Sequence, residues 1–283
     1  MLIEWKENII KELAYKRCVI FIGSGISAGA KNSEGKTPLT WSKFIEEACK
    51  LSDGSSDDYI KDVLKKENYL QALQAIKESS DPGDYADFLK ENFSRPGFEP
   101  SITHQAIKDI NSKIVVTTNF DNIYELNCRH GYTVANFYDP ISKIISTIKS
   151  PENLIIKMHG SIEDTNRIVF TEKEYYIAKK ENAEFYDLLK ALFLTHTFLF
   201  LGYSLNDPDI NLLLEIASHS NTHSNPHYVV AKEGTSRELK KHWLDCYNIF
   251  TLEYGPAYEN LEENILNLKD KVLEVRSSLN LPQ

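Results

Sequence analysis

The amino-acid sequence predicts an α/β protein with a doubly wound, mostly parallel sheet. Short, continuously apolar runs, such as CVIFI at 18–22, are typical of strands that are buried on both faces of a parallel sheet. Stretches with helical periodicity alternate with these runs. The composition of the 283 residues, 42% hydrophobic and 26% charged, is typical of a globular protein. We therefore expect a single domain over residues 1–283.

Helices and strands can be assigned in order along the chain. Residues 3–16 have an amphipathic helical pattern, the strand at 18–22 ends at a glycine, and a helix is expected at 40–51. Residues from about 53 to 100 are charged, mostly helical and interrupted by SDGSSDD and SSDPGD, so we expect a helical subdomain inserted between the first two strands. Further strands are expected at 114–117, 132–137, 154–157, 198–201, 228–230 and 249–252, and further helices at 102–111 and 257–276.

Charge, hydropathy and cysteine content argue against several classes of protein. The net charge of −9 argues against direct nucleic-acid binding, because phosphate neutralisation needs clustered Lys and Arg. The richest apolar stretch, 192–203, falls short of the roughly 18 to 20 apolar residues of a membrane span, and the charged amino terminus is unlike a signal peptide. The four cysteines form no CxxC pair, so no zinc ribbon is predicted. We expect a cytoplasmic protein with reduced thiols.

A glycine-containing turn follows the first predicted strand. In FIGSGIS, at 21–27, the glycines would let the backbone approach a pyrophosphate. The alternative is an ordinary tight turn in which Ser27 caps the next helix. The third glycine of GxGxxG and the acidic residue expected after the second strand are both missing, so the turn does not fit a dehydrogenase.

Two further polar turns follow predicted strands. TTNFD at 117–121 places Asn119 and Asp121 where open α/β sheets bind ligands, and the alternative is that Asp121 caps a helix starting near Asn122. KMHGS at 157–161 offers His159 as a general base, and the alternative is a hydrogen-bonded structural histidine.

A fourth turn, FLGYSLNDP at 200–208, again follows a predicted strand. Gly202 and Ser204 are candidate ligand-binding residues, whereas Asp207 and Pro208 form a good helix start. The two interpretations are compatible, because they concern different residues of the turn.

The four turns together resemble one known family. GSGxS, TxNxD, HG and GxS, in this order, resemble the NAD-binding, Rossmann-like core of the sirtuins. The forms TTNFD, KMHGS and FLGYSxxDP, with Trp41 after the first turn, are more similar to bacterial sirtuin-like proteins of anti-phage defence. The resemblance extends from about residue 15 to 255.

The resemblance implies a role for each matching residue. Asn119 would contact the nicotinamide ribose and position the attacking water, Asp121 would hold the carboxamide, and His159 would be the base. The residues implied in binding the rest of the dinucleotide are Gly23, Ser24, Gly25, Ser27, Gly202 and Ser204. Asn206 and Asp207 match the pattern of the defence proteins, and Asp207 is counted among the expected cofactor-binding residues.

The departures from the family pattern point to hydrolysis. Sirtuin deacylases carry a zinc ribbon between the HG and GxS motifs, but residues 161–201 contain no cysteine and instead include FTEKEYYIAKKENAEFYDLL, which predicts a helix beside the site. Their Gly-Ile-Pro-x-Phe-Arg stretch is also missing. We therefore expect NAD as the substrate, water as the acceptor and no metal. Cleavage of the nicotinamide–ribose bond resembles glycoside hydrolysis but needs no acid, because the leaving group is a pyridinium.

The resemblance also implies regulation, since an unregulated NAD hydrolase would poison its host. We expect gating by assembly, either as a homo-oligomer or with a separately encoded ATPase, Argonaute-type or sensor partner, and the helices at 3–16 and 257–276 are candidate oligomer surfaces. The alternatives are a sensor that binds NAD or ADP-ribose without cleaving it, and an NAD-dependent protein deacylase or ADP-ribosyltransferase.

Overall fold

The computed structural model describes residues 2–128, 131–205, 210–212, 214–215 and 226–282. Its strands are β1 (Cys18–Ile22), β2 (Ile114–Thr117), β3 (Tyr132–Asn136), β4 (Asn153–Lys157), β5 (Thr197–Leu201), β6 (His227–Ala231) and β7 (Ile249–Glu253). They form one sheet in the order β3-β4-β2-β1-β5-β6-β7, and all neighbours in it are parallel. The predicted doubly wound α/β sheet is confirmed, and it is parallel throughout.

Helices with both ends in the described residues precede β1, connect the strands or follow β7. They are α1 (Glu7–Ala14), α2 (Ser24–Ser27), α3 (Trp41–Ala48), α4 (Asp57–Lys65), α5 (Tyr69–Glu78), α6 (Pro82–Phe93), α7 (Ile102–Ile110), α8 (Ile123–Asn127), α9 (Ile141–Lys149), α10 (Glu172–Glu181), α11 (Ala183–Thr195), α12 (Arg237–Tyr247) and α13 (Tyr258–Ser278). The predicted single helix beside the site is two helices, because Asn182 leaves helical geometry between α10 and α11. The first helix is shorter than predicted, because the backbone of Lys6 is extended (φ −67°, ψ 137°) and the N–H of Ile3 bonds the side chain of Asn264.

Both faces of the sheet are buried, which explains the apolar runs of the sequence. Along β1, Val19 and Phe21 belong to one apolar cluster, whereas Cys18, Ile20 and Ile22 belong to another on the opposite face. This alternation is that of a strand with helices on both sides. No helix within the described part of the chain is both long and apolar enough to cross a membrane.

The amphipathic helices α1 and α13 pack against the sheet and each other. Their apolar residues, including Ile9, Leu13, Ile265 and Leu268, are buried in one cluster with the strands. The fully buried Arg276 donates hydrogen bonds to the carbonyls of Leu13 and Ala14 at the end of α1. The apolar faces of these helices are therefore not available as the oligomer surfaces expected from the sequence.

Helices α3 to α6 lie between β1 and β2 and share an apolar cluster with the loops at the sheet edge. Phe44 of α3 packs with Phe170, and Phe93 of α6 packs with Phe120, which follows β2. The cluster therefore begins before residue 53, at α3. The division into one domain with a helical insertion at about 53–100 stays a prediction.

Candidate functional site

Four strand ends bring the four sequence motifs to one edge of the sheet. Strands β4, β2, β1 and β5 are consecutive neighbours, and all end at the same edge because they are parallel. The chain moves from β1 to one side and later returns to β5 on the other, which makes the edge beside β1 a topological switch point where open α/β sheets bind ligands. Asn206, Asp207 and the predicted helix start at Pro208 lie outside the described residues.

The glycines of the first and fourth motifs allow two turns to touch. A Cβ atom on Gly23 would lie 2.4 Å from the carbonyl oxygen of Gly202, and one on Gly202 would lie 2.5 Å from the amide nitrogen of Ile26. Gly202 also has φ +59°, a left-handed conformation that favours glycine. The N–H groups of Gly23 and Gly25 donate to the carbonyls of Leu201 and Gly202, both at 2.9 Å. These glycines therefore shape the crevice, and their two N–H groups already have protein acceptors.

Ser27 connects the first motif to the second. It is the last residue of the one-turn helix α2, which Gly23 caps, so the alternative interpretation of Ser27 as an N-cap is wrong. The side-chain nitrogen of Asn119 donates to the carbonyl of Gly23 at 3.1 Å and to the hydroxyl of Ser27 at 3.0 Å. The Ser27 hydroxyl donates in turn to a carboxylate oxygen of Asp121 at 2.9 Å.

This hydrogen-bond chain fixes the orientation of the Asn119 amide. Both Nδ2 protons are donated, and in the described part of the chain Oδ1 takes no protein hydrogen bond. Oδ1 is therefore the acceptor that Asn119 can offer to a ligand or a water. The other carboxylate oxygen of Asp121 accepts from the N–H of Ile123 at 3.0 Å, so Asp121 also caps α8 as the alternative interpretation predicts.

His159 lies in an aromatic wall of the site. Its side chain is 4% exposed, its ring centroid is 6.4 Å from that of Phe120, and the ring of Tyr175 packs edge-on at 5.0 Å. The backbone holds it firmly, since the carbonyl of His159 accepts from Val169 at 2.9 Å and Gly160 has φ +80°. Phe120, which follows Asn119 in the sequence, therefore connects the second motif to the His159 ring.

Ser204 is at the rim of the crevice. It is exposed, whereas the preceding Tyr203 packs its ring on Phe21 with a centroid distance of 4.7 Å. The structure therefore gathers Gly23, Gly25, Ser27, Asn119, Asp121 and Gly202 through direct contacts. The exposed Ser24 and Ser204 lie on the two touching turns.

A family model and several known proteins are similar in sequence to this chain. Residues 113–252 match the family model described as the SIR2-like domain. The chain contains a SIR2-like domain. It is 26% identical over 235 residues to NAD(+) hydrolase ThsA of Enterococcus faecium, covering 81% of this chain and 46% of that protein.

Two more relatives have similar names. The chain is 25% identical over 213 residues to NAD(+) hydrolase ThsA of Cytobacillus dafuensis, covering 74% of this chain and 40% of the relative. It is 25% identical over 225 residues to Defense-associated sirtuin 2 of Bacillus subtilis, covering 75% and 20%. The chain spans less than half the length of these three relatives.

The SIR2-like domain also contains a buried lysine that sequence analysis missed. Lys157, at the end of β4, is 1% exposed. Its ammonium group donates to the backbone carbonyl of Asp121 at 2.6 Å, to the Asn122 side chain at 3.2 Å and to Glu125 at 2.5 Å. Ser161 bonds the same Asn122 oxygen at 3.1 Å, so the loops after β2 and β4 are cross-linked. A lysine at the end of the apolar run NLIIK was the available signal.

A buried histidine was missed as well. His104 of α7 is 1% exposed and its Nδ1 accepts from the backbone N–H of Ser101 at 3.1 Å. Burial lowers the pKa of His104 to about 4, with the nearby Asp121 opposing the shift. His104 therefore stays neutral beside the SIR2-like site at physiological pH.

Metal removal is expected to leave the SIR2-like domain unchanged. Over the residues that the structure describes, no group of three or more His, Cys, Asp and Glu side chains could hold a metal ion. Where a structural zinc site exists, its binding energy is part of the folding energy. We expect the same melting temperature with and without EDTA, and a fall of several degrees in the chelator would contradict this expectation.

Proposed function

We propose that this SIR2-like domain hydrolyses NAD to nicotinamide and ADP-ribose. The observation that carries the proposal is the Asn119–Ser27–Asp121 hydrogen-bond chain at the switch point of the sheet, which leaves the Asn119 amide oxygen as an oriented acceptor. The names of the relatives and the cysteine-free stretch 161–201 support the same reaction.

The proposed chemistry is a substitution at the anomeric carbon of the nicotinamide ribose. The C1′–N bond breaks, its electron pair leaves with neutral nicotinamide, and an oxocarbenium-like state forms. A water attacks C1′ and loses one proton, so the products are nicotinamide, ADP-ribose and a proton. Asn119 would accept a hydrogen bond from the water or a ribose hydroxyl, Asp121 would hold the carboxamide, and His159 would take up the proton.

We further propose how the dinucleotide lies in the crevice. The pyrophosphate and adenosine ribose would occupy the two touching turns. The residues proposed for this part are Gly23, Ser24, Gly25, Ser27, Gly202, Ser204 and Asp207. Because the N–H groups of Gly23 and Gly25 already have acceptors, the glycines would act mainly by allowing close approach, and the exposed Ser24 and Ser204 would supply hydroxyl donors.

The biological role that we propose is NAD depletion in the cytoplasm during anti-phage defence. The name of the relative from Bacillus subtilis supports the defence role. Activity would be gated by assembly, with further copies of the chain or with a separately encoded ATPase, Argonaute-type or sensor protein. Because the apolar faces of α1 and α13 are buried, the assembly surface would lie elsewhere.

One experiment separates hydrolysis from its alternatives. Purified protein is incubated with NAD, with and without an acylated peptide, and nicotinamide is measured by chromatography. Release without peptide supports hydrolysis, and release that requires peptide would support a deacylase. NAD binding without release, in every assembly state tested, would support a sensor and refute the proposal.

His159→Ala is expected to lower turnover by about a hundredfold, the usual effect of removing a positioned base. NAD affinity should change much less, because the two touching turns are proposed to hold the pyrophosphate and the adenosine ribose. The measurements are turnover, NAD affinity by calorimetry and melting temperature on one preparation.

Two further variants control the His159 result. His159→Gln fills most of the space between Phe120 and Tyr175 but is a poor base, so it should lose as much turnover as His159→Ala. His242→Ala removes an exposed histidine on α12 and should have no effect. If both His159 variants melt at a lower temperature than the wild type and no longer bind NAD, His159 has a packing role and is not the base.

A further inference from the structure

The hydroxyl of Tyr258 reaches the glycine turn of the candidate site from the opposite end of the chain. Tyr258 is the first residue of α13, and its hydroxyl donates a hydrogen bond to the carbonyl of Gly25 and lies 3.5 Å from that of Ile26. Carbonyls at the end of a one-turn helix such as α2 need partners from outside the helix. Tyr258 provides one across more than 230 residues of sequence.

The peptide groups of Gly25 are held from two sides. The N–H of Gly25 donates to the carbonyl of Gly202 at 2.9 Å, while its own carbonyl accepts from Tyr258. Two residues later, Ser27 bonds Asn119 and Asp121. The glycine turn is therefore clamped between the turn after β5 and α13, and among the described residues Tyr258 is the member of this clamp that lies outside the four motifs.

Gly29 leaves the space that Tyr258 occupies. A Cβ atom on Gly29 would lie 3.0 Å from the phenol oxygen, which is closer than nearly all such contacts. Burial raises the pKa of Tyr258 to about 12, so the phenol keeps its proton at neutral pH and can act as a donor.

We propose that Tyr258 is a positioning residue for dinucleotide binding, which fixes the Gly23–Ser27 turn through the carbonyl of Gly25. This inference rests on the proposed function, because it assigns that turn to the pyrophosphate. The pyrophosphate keeps its charge and contacts while the distant nicotinamide–ribose bond breaks. Loss of the clamp should therefore weaken binding of the ground state and of the transition state equally. Such a loss raises KM and leaves kcat unchanged.

Tyr258→Phe tests the inference by removing one oxygen atom. We expect the KM for NAD to rise about five- to tenfold, the range of one hydrogen bond. The value of kcat should stay within about twofold of the wild type. Gly29→Ala keeps the hydroxyl but displaces it, and should raise KM in the same way. Tyr254→Phe removes the hydroxyl of a half-buried tyrosine at the end of β7 and is the matched control, with no change expected.

Hydrogen exchange supplies a measurement that is independent of activity. In the absence of NAD, amides in a peptide covering residues 22–30 should exchange faster in Tyr258→Phe and Gly29→Ala than in the wild type and the control. Unchanged KM and exchange, or a fall of kcat at constant KM, would overturn the proposal. So would a low melting temperature with general loss of protection. If the wild type releases no nicotinamide, the proposed function fails. The positioning role of Tyr258 is then still tested by NAD affinity, measured by calorimetry, together with hydrogen exchange.

Discussion

Asn119→Ala is expected to reduce nicotinamide release by about a thousandfold while the protein stays folded. The substitution removes the oriented amide oxygen at the switch point of the sheet, and loss of a preorganised polar group at a reacting centre commonly has an effect of this size. Stability should fall by only about 1 to 2 kcal/mol, because the amide makes two hydrogen bonds and is half-buried. Nicotinamide release and thermal melting on the same variant measure both effects.

Ser27→Ala is the matched control for Asn119. It breaks the same hydrogen-bond chain to Asp121 but leaves the Asn119 amide bonded to the carbonyl of Gly23. We expect a loss of about fivefold, because the neutral hydrogen bond from Asn119 to Ser27 that helps to orient the amide contributes about 1 kcal/mol. Equal losses in the two variants would mean that Asn119 acts only through the chain, and full activity of Asn119→Ala would remove it from the mechanism.

The sheet could be predicted from sequence because its central strands, β1, β2, β4 and β5, are buried on both faces. The strands predicted at 18–22 and 114–117 are found with these limits, and the strand predicted at 228–230 is one residue longer at each end. The other four predicted strands differ from the structure by one residue at one end. A buried parallel strand needs apolar side chains in both directions, so its limits are visible as a run. The position of the four motifs at one edge of the sheet could also be predicted, because parallel strands that end at one edge place their turns together.

Features that depend on contacts distant in sequence could not be predicted. The break at Asn182 separates α10 from α11, although the sequence there has no proline or glycine to mark it. The role of Gly23 and Gly25 depends on the approach of Gly202, which the turn motif alone does not reveal. Tyr258 carries no local signal, because its partner is more than 230 residues away.

The location of Lys157 shows why a charge in an apolar run deserves a structural explanation. Its ammonium group has three donors and finds three acceptors, two on the loop after β2 and Glu125 on α8, so hydrogen bonds of the protein replace those of water. Burial of this kind is stable only while all partners remain. The lysine therefore joins the segment after β2, which carries Asn119, to the end of β4, which is followed by the loop that carries His159.

Lys157→Met is expected to lower the free energy of unfolding by about 3 to 5 kcal/mol, the usual cost of removing one partner from a buried ion pair. Glu125 would be left without its cation, and three acceptors would lose their donor. Burial already raises the pKa of Glu125, and Lys157 is the group that opposes this shift. Without Lys157 the folded-state pKa should rise further above the unfolded value.

The pH dependence of Lys157→Met follows from that shift. Between the unfolded and folded pKa values of Glu125 the native state binds the extra proton, so stability falls as pH rises and recovers as pH is lowered.

Adding Glu125→Gln to Lys157→Met should restore much of the loss at neutral pH, because no unpaired charge remains. Lys143→Met, which breaks an exposed pair with Asp139 at 3.0 Å, is the control and should cost less than about 1 kcal/mol. Denaturant unfolding of these three variants and of the wild type between about pH 5 and pH 8, the range in which proteins are generally most stable, tests this account. An Lys157→Met loss as small as that of Lys143→Met, or one that grows as pH falls, would show that the buried ion pair does not join the two loops as described.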